Sequence, residues 1–195
     1  MRKFSPFVII HLILMVLLFL AASFAMVMYM GGFKLAVEGR GLPEVLLSGF
    51  TLLLIIVLLA IGMLYLFNEY SKRAAIYYKT FLLLLLCVTT IATLLDVCFI
   101  ELNALLIAKN VFYVAKIIDL LALAFWKDLG KKKTTMLAFI LLAFDILAIV
   151  FWLIHLASTG FDFNIMGASS AIVADVTVLL AVKGKYADKA ERGSK

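Results

Sequence analysis

Apolar residues gather into six long runs divided by short polar stretches, which predicts helices over about residues 7–30, 43–67, 75–100, 104–126, 134–157 and 165–182. A helix needs about 20 apolar residues to cross the hydrocarbon core of a bilayer, and each run is near that length. The expected fold class is all-α: a polytopic integral membrane bundle of six transmembrane helices, forming one domain over residues 1–183 with a polar tail at 184–195. The first run follows Met1-Arg2-Lys3, as a signal peptide would, and Ala21-Ala22-Ser23-Phe24-Ala25 resembles a cleavage site. Because the apolar run continues to Met30, a retained helix is the preferred reading.

The connections follow from turn and cap chemistry. Gly31-Gly32 ends the first helix, a loop carries Lys34, Glu38, Arg40 and Glu44, and Pro43 suits the first turn of the second helix. Between Ala75 and Trp126 there is no glycine or proline, yet an unbroken helix of about 50 residues would be roughly 75 Å long. A break is expected at Glu101-Leu102-Asn103, where Asn can take the left-handed conformation that ends a helix. Lys127 to Lys133 reads as a loop with Thr134 or Thr135 as the following cap, and Ser158 to Asn164 reads as the last turn. Tyr77, Tyr78 and Lys79 fit an interfacial belt.

Orientation comes from the flanking cations. Arg2, Lys3, Lys72, Arg73, Lys79, the Lys127 to Lys133 group and the tail cations fall on one side, and only Lys34 and Arg40 fall on the other. The positive-inside rule places both termini in the cytoplasm, in a multi-pass arrangement within a plasma or cell inner membrane.

Composition agrees: 66% of residues are hydrophobic, against about half in a soluble domain, so a water-soluble fold is excluded. The net charge of +6 sits in loops and tail, where it serves topology and anionic lipid headgroups and does not point to nucleic acid. Lipid is therefore one expected partner; a membrane protein partner or a second copy of the chain is another. Cys87 and Cys98 are roughly 16 Å apart along one helix, too far to bridge, and are expected to be buried small hydrophobes.

The chemistry lies in charges placed within the apolar runs: Asp96, Lys109, Lys116, Asp119, Asp145 and Asp175. A charge at bilayer depth costs roughly 2.5–3.5 kcal/mol even on the gentlest scale, so such residues are paired, functional or both. Asp96 and Lys109 are equidistant from the break at residues 102 and 103, and are expected to form an outer ion pair. Lys109, Tyr113 and Lys116 form one helical stripe, Thr89, Thr93 and Asp96 another, and the two stripes should face each other as a polar lining. Lys116, Asp119, Asp145 and Asp175 share a depth of roughly 12–18 Å from the cytoplasmic ends. If all four meet, three acids share one base, and at least one acid is expected to exchange a proton or bind a cation. Fixed interhelical ties, or pairing with a partner subunit, are the competing readings.

Gly167 with Ala171, and Ser170 with Ala174, are small residues four apart that let helices approach closely. His11 and His155 are expected to be interfacial or hydrogen-bonded, since neither has ligand spacing, and no metal or cofactor is expected. No phosphate loop, nucleophile elbow or zinc-spaced cysteine pair occurs, which argues against an enzyme. The expected function is proton- or cation-linked movement of a small solute or ion, with Asp119, Asp145 and Asp175 as exchanging acids and Lys116 as their counter-ion. The alternative is a nonenzymatic accessory or assembly subunit of a larger membrane complex, with lipid as a candidate ligand. The first two long helices, free of buried charge, are expected to pack outside the ionisable core.

Overall fold

The computed structural model describes residues 5–69, 71–99, 103–126, 129–159 and 165–192, and every regular element among them is a helix. The order is α1 (Pro6–Gly31), α2 (Phe33–Arg40), α3 (Leu42–Phe67), α4 (Ala74–Phe99), α5 (Ala104–Phe125), α6 (Lys131–Thr159) and α7 (Ile165–Arg192). α1, α3, α4 and the Lys132–Ile154 stretch of α6 are long and apolar enough to cross a membrane, which marks a membrane protein. α5 is interrupted by Lys109, Lys116 and Asp119, and α7 by Asp175 and a cationic end.

Local chemistry accounts for the ends. Ser5 caps α1 by accepting from the Val8 amide at 3.4 Å, with Pro6 in the first turn where its missing N–H costs nothing. The segment expected to be a loop after Gly32 instead forms α2, because Phe33 to Arg40 holds mostly competent helix formers between two glycines. Gly41, at φ +90°, supplies the left-handed joint into α3.

Asn103 does not end the preceding helix in a left-handed turn. Its backbone is extended (φ −105°, ψ 173°) and its side chain accepts from the Leu106 amide at 2.9 Å, so it caps the start of α5. Glu101 and Leu102 lie outside the described residues, as do Lys127, Asp128 and residues 160–164 of the expected connections. Lys131 to Lys133, expected in a loop, form the first turn of α6. α7 runs past its expected end at Val182 to Arg192, since Ala187 to Arg192 lacks any helix breaker.

Consecutive long helices pack as neighbours from α3 to α7, and α1 lies against α3 and α7. α7 touches α1, α3, α4 and α6, and no residue from Gly167 to Val182 is exposed. A helix enclosed on all sides needs no lipid-facing apolar surface, so it can hold Ser170, Asp175 and Thr177. One core cluster joins Leu58 of α3, Phe81 and Leu85 of α4, Leu120 of α5, Leu141 of α6 and Val178 of α7. A second joins Met15 and Ala22 of α1 to Leu59 of α3 and Val173 of α7.

These clusters correct the expectation that the first two long helices lie outside: α3 enters both cores, and α1 seals the second. Cys87 and Cys98 also depart from expectation, being exposed, because they occupy the side of α4 opposite the buried Thr89 and Asp96.

Three helices meet at Gly62. A methyl group there would fall 2.5 Å from Met15 Cε and 2.8 Å from the Phe81 ring. Met15 has a flexible end, but Phe81 is 1% exposed and hemmed in by the core cluster. Gly62→Ala is expected to destabilise by about 1–3 kcal/mol through overpacking, outweighing the roughly 1 kcal/mol that alanine gains in a helix. Thermal unfolding in detergent tests this: an unlowered midpoint would show that α1 and α4 yield at no cost.

Candidate functional site

The antiparallel α4 and α5 bring Asp96 and Lys109 into a direct ion pair. The Lys109 ammonium also lies 5.5 Å from the centre of the Tyr113 ring, one turn further along α5. Another turn on, Lys116 extends between α6 and α7. Its Nζ is 2.6 Å from Asp145 Oδ2 and 3.0 Å from Asp175 Oδ1, also donating to Asp175 Oδ2 at 3.1 Å. All three side chains are at most 1% exposed. Three helices are thus tied at one ammonium group, with two acids around one base. The Asp145 and Asp175 carboxyls therefore flank the same ammonium, and Asp145 Oδ1 has no hydrogen-bond partner among the described residues.

Asp119 does not join this group. It is buried, yet no ion pair with Lys116 forms, and neither carboxylate oxygen has a hydrogen-bond partner among the described residues. Asp119 is one turn from Lys116 on the same helix, but the Lys116 ammonium reaches across to Asp145 and Asp175 on α6 and α7 instead. The expected four-residue convergence is therefore a cluster of three, with Asp119 apart.

Thr89 and Thr93 also part company. Both are buried and donate back along α4, Thr89 to the Leu85 carbonyl at 2.9 Å and Thr93 to the Thr89 carbonyl at 2.8 Å. Thr89 lines the same space as Asp96, Lys109, Tyr113 and Lys116, whereas Thr93 borders a separate groove of about 290 Å³ with Asn110.

That shared space is a cavity of about 940 Å³, within the range of ligand-binding pockets. Arg40 and Glu44, 3.9 Å apart, stand at one end, and Lys116 with Asp145 at the other. Between them the wall is chiefly aliphatic and aromatic, punctuated by Ser48, Thr51, Thr89 and Ser170. Tyr29 of α1 borders it too, hydrogen-bonded to the Val45 carbonyl, with its ring against Gly49 where a Cβ would come within 2.8 Å.

The small residues of α7 play two parts. Ala174 packs in the core, as a residue of close approach should. Gly167 and Ala171 instead border the cavity, and among the described residues nothing lies within 4 Å of a Cβ at Gly167, so this pair opens space where tight packing was expected.

Sequence reasoning missed the parts played by α1 and α3 in the wall. The i, i+3 spacing of Ser48 and Thr51 within an otherwise apolar helix was the available signal. His11 is buried and hydrogen-bonded, its Nε2 2.9 Å from Thr177 Oγ1, which ties α1 to α7. The His155 side chain lies outside those described. Among the described residues no group of three His, Cys, Asp or Glu is arranged to hold a metal ion. Compared with family models, curated proteins and solved structures, the chain finds no match.

Proposed function

We propose that this is a multi-pass protein of a plasma or cell inner membrane that moves a small solute or ion, coupled to a proton or cation. In this reading α1, α3, α4, α5, α6 and α7 are the six spans, both termini are cytoplasmic, and α2 lies at the outer surface. The cationic flanks support that orientation, because Lys72, Arg73, Lys79, Lys132 and Lys133 lie opposite Lys34 and Arg40. The cavity then opens outward beside Arg40 and Glu44 and ends on the buried acids.

One observation carries the proposal: a cavity of ligand size ends on Lys116 and Asp145, with Asp175 behind them. Two carboxylates and one ammonium leave an excess negative charge, which a proton or a cation can neutralise. Asp145 and Asp175 are the exchanging acids and Lys116 holds them in place. Asp119, one turn nearer the cytoplasmic end of α5 and without a hydrogen-bond partner among the described residues, is the next acid on an inward path. Asp96 with Lys109 is the outer pair.

The test is flux into liposomes containing the purified protein, driven by pH and ion gradients. Wild-type protein is expected to dissipate a gradient, and Asp145→Asn or Asp175→Asn to lose most of that activity while keeping a folded elution profile. Silence of wild-type vesicles in every gradient would instead favour the accessory-subunit reading. α1 gives that reading its support, as the least buried of the four apolar spans, leaving much of its length to lipid or another protein.

A further inference from the structure

We infer that the cavity takes an organic monocation, a substituted ammonium with an apolar or aromatic body, in exchange for a proton held between Asp145 and Asp175. The inference rests on the transport reading above and names its substrate class. Charge counting comes first. Arg40 is matched by Glu44 and Asp96 by Lys109, so among the described residues these pairs contribute no net charge to the wall. Lys116 and Asp145 balance at the inner end of the wall, and the excess negative charge is that of Asp175, which touches Lys116 from behind the wall. An anion would add to that imbalance, a neutral solute would leave it, and a monocation removes it.

Geometry gives the imbalance an address. Asp145 lies at the inner end of the cavity, fully buried, and among the described residues its Oδ1 has no donor, so an unpartnered acceptor sits just behind the wall, where a proton or a cation could satisfy it. The charged and titratable groups facing it are Lys116 and Tyr113 from α5 and Asp175 from α7, with Asp96 further off on α4 and already paired. Two carboxyls that meet on one ammonium, as Asp145 and Asp175 do on Lys116, can share one proton, and a bound cation would take over its role.

The wall chooses among cations. A cavity of about 940 Å³ is far larger than an alkali ion requires, and Leu52, Ile55, Leu85 and Ile149 could not replace an ion's hydration shell. An amphipathic cation buries its body against those side chains. Trp152 lies two turns from Asp145 on the same face of α6 and borders the cavity, which puts an aromatic side chain within reach of such a cation's body.

The experiment uses full-length protein in phosphatidylcholine nanodiscs, with Trp126→Phe so that Trp152 is the remaining tryptophan. The probe is benzyltrimethylammonium, a permanent cation that brings no proton. Benzenesulfonate, benzyl alcohol and sodium chloride are the comparison probes, at matched ionic strength. Saturable quenching or shift of Trp152 fluorescence by the cation alone is expected. In weak buffer, an indicator dye should report one proton released per cation bound. Asp145→Asn should weaken binding about tenfold or more, equal to about 1.4 kcal/mol, and abolish the release.

Equal response to benzenesulfonate or benzyl alcohol would overturn the inference, as would no binding of the organic cation, binding without proton release, or the same release with sodium. These comparisons are made in wild-type Asp145 protein, so poor folding of Asp145→Asn leaves them decisive. Binding with proton release alongside silent vesicles would overturn transport but not the site. Flux without cation binding would do the reverse.

Discussion

Replacing Lys116 with methionine is expected to cost about 3–5 kcal/mol of stability, because it leaves two carboxylates buried without the one cation that contacts them among the described residues. Methionine retains an unbranched apolar side chain, so lost packing contributes little. What remains is Asp145 beside Asp175, neither with exposed surface to water. The α5 and α7 backbones are not packed neighbours, and the ammonium bridges the gap between them. Thermal unfolding in dodecylmaltoside should show a large fall in midpoint. Adding Asp145→Asn and Asp175→Asn to Lys116→Met should restore most of it, since an amide pair can exchange hydrogen bonds without charge. If Lys116→Met unfolds like wild type, the ammonium does not tie the three helices. If the triple substitution is no better than the single one, the loss comes from shape and not from buried charge.

Why this triad was legible from sequence, and why Asp119 was misplaced within it, follows from what one-dimensional spacing conveys. Counting residues from helix ends fixes depth, since each contributes about 1.5 Å, and depth alone brought Lys116, Asp145 and Asp175 to one level. Asp119 passed the same test. Direction around the helix axis decides whether equal depth becomes contact, and that depends on which helices are neighbours. The Asp96–Lys109 contact was easier, because adjacent helices joined by a short turn have only one sensible facing.

The cavity was not legible, because emptiness has no residue signature. Gly167 with Ala171 read as a close-packing pair; both border the cavity, and no described side chain fills the space beside Gly167. Likewise, α7 is less apolar than the other long helices, yet none of its residues from Gly167 to Val182 is exposed, and an apolar-run count cannot separate a central helix from a weak one. α3 looked peripheral because it lacks charge. Its Leu58 and Leu59 are instead among the most buried side chains, and Ser48 and Thr51 face the cavity. Helix positions were clearer, since apolar length and caps are local. The exceptions were α2 and the start of α6, where lysine and glycine suggested loop but the intervening residues sustain a helical turn.

The second large effect is expected at the outer pair, where Asp96→Asn leaves the Lys109 ammonium in the cavity wall without its anion. The loss should be about 2–3 kcal/mol, smaller than at Lys116, because the cavity can admit water and the Tyr113 ring remains 5.5 Å away. Lys109→Met should cost as much or more, since the carboxylate it strands gains nothing from an aromatic face, whose quadrupole attracts cations only. Exchanging the partners, Asp96→Lys with Lys109→Asp, conserves both charge and depth and should recover most of the stability lost in the worse single variant. A double-substitution thermal series in detergent measures the coupling. Recovery would mean that opposite charge at that level holds α4 to α5, whichever helix carries which sign. No recovery would mean that the lysine must come from α5, where its stem shares a face with Tyr113 and Lys116, and the pair would then belong to the cavity wall as much as to the helix junction.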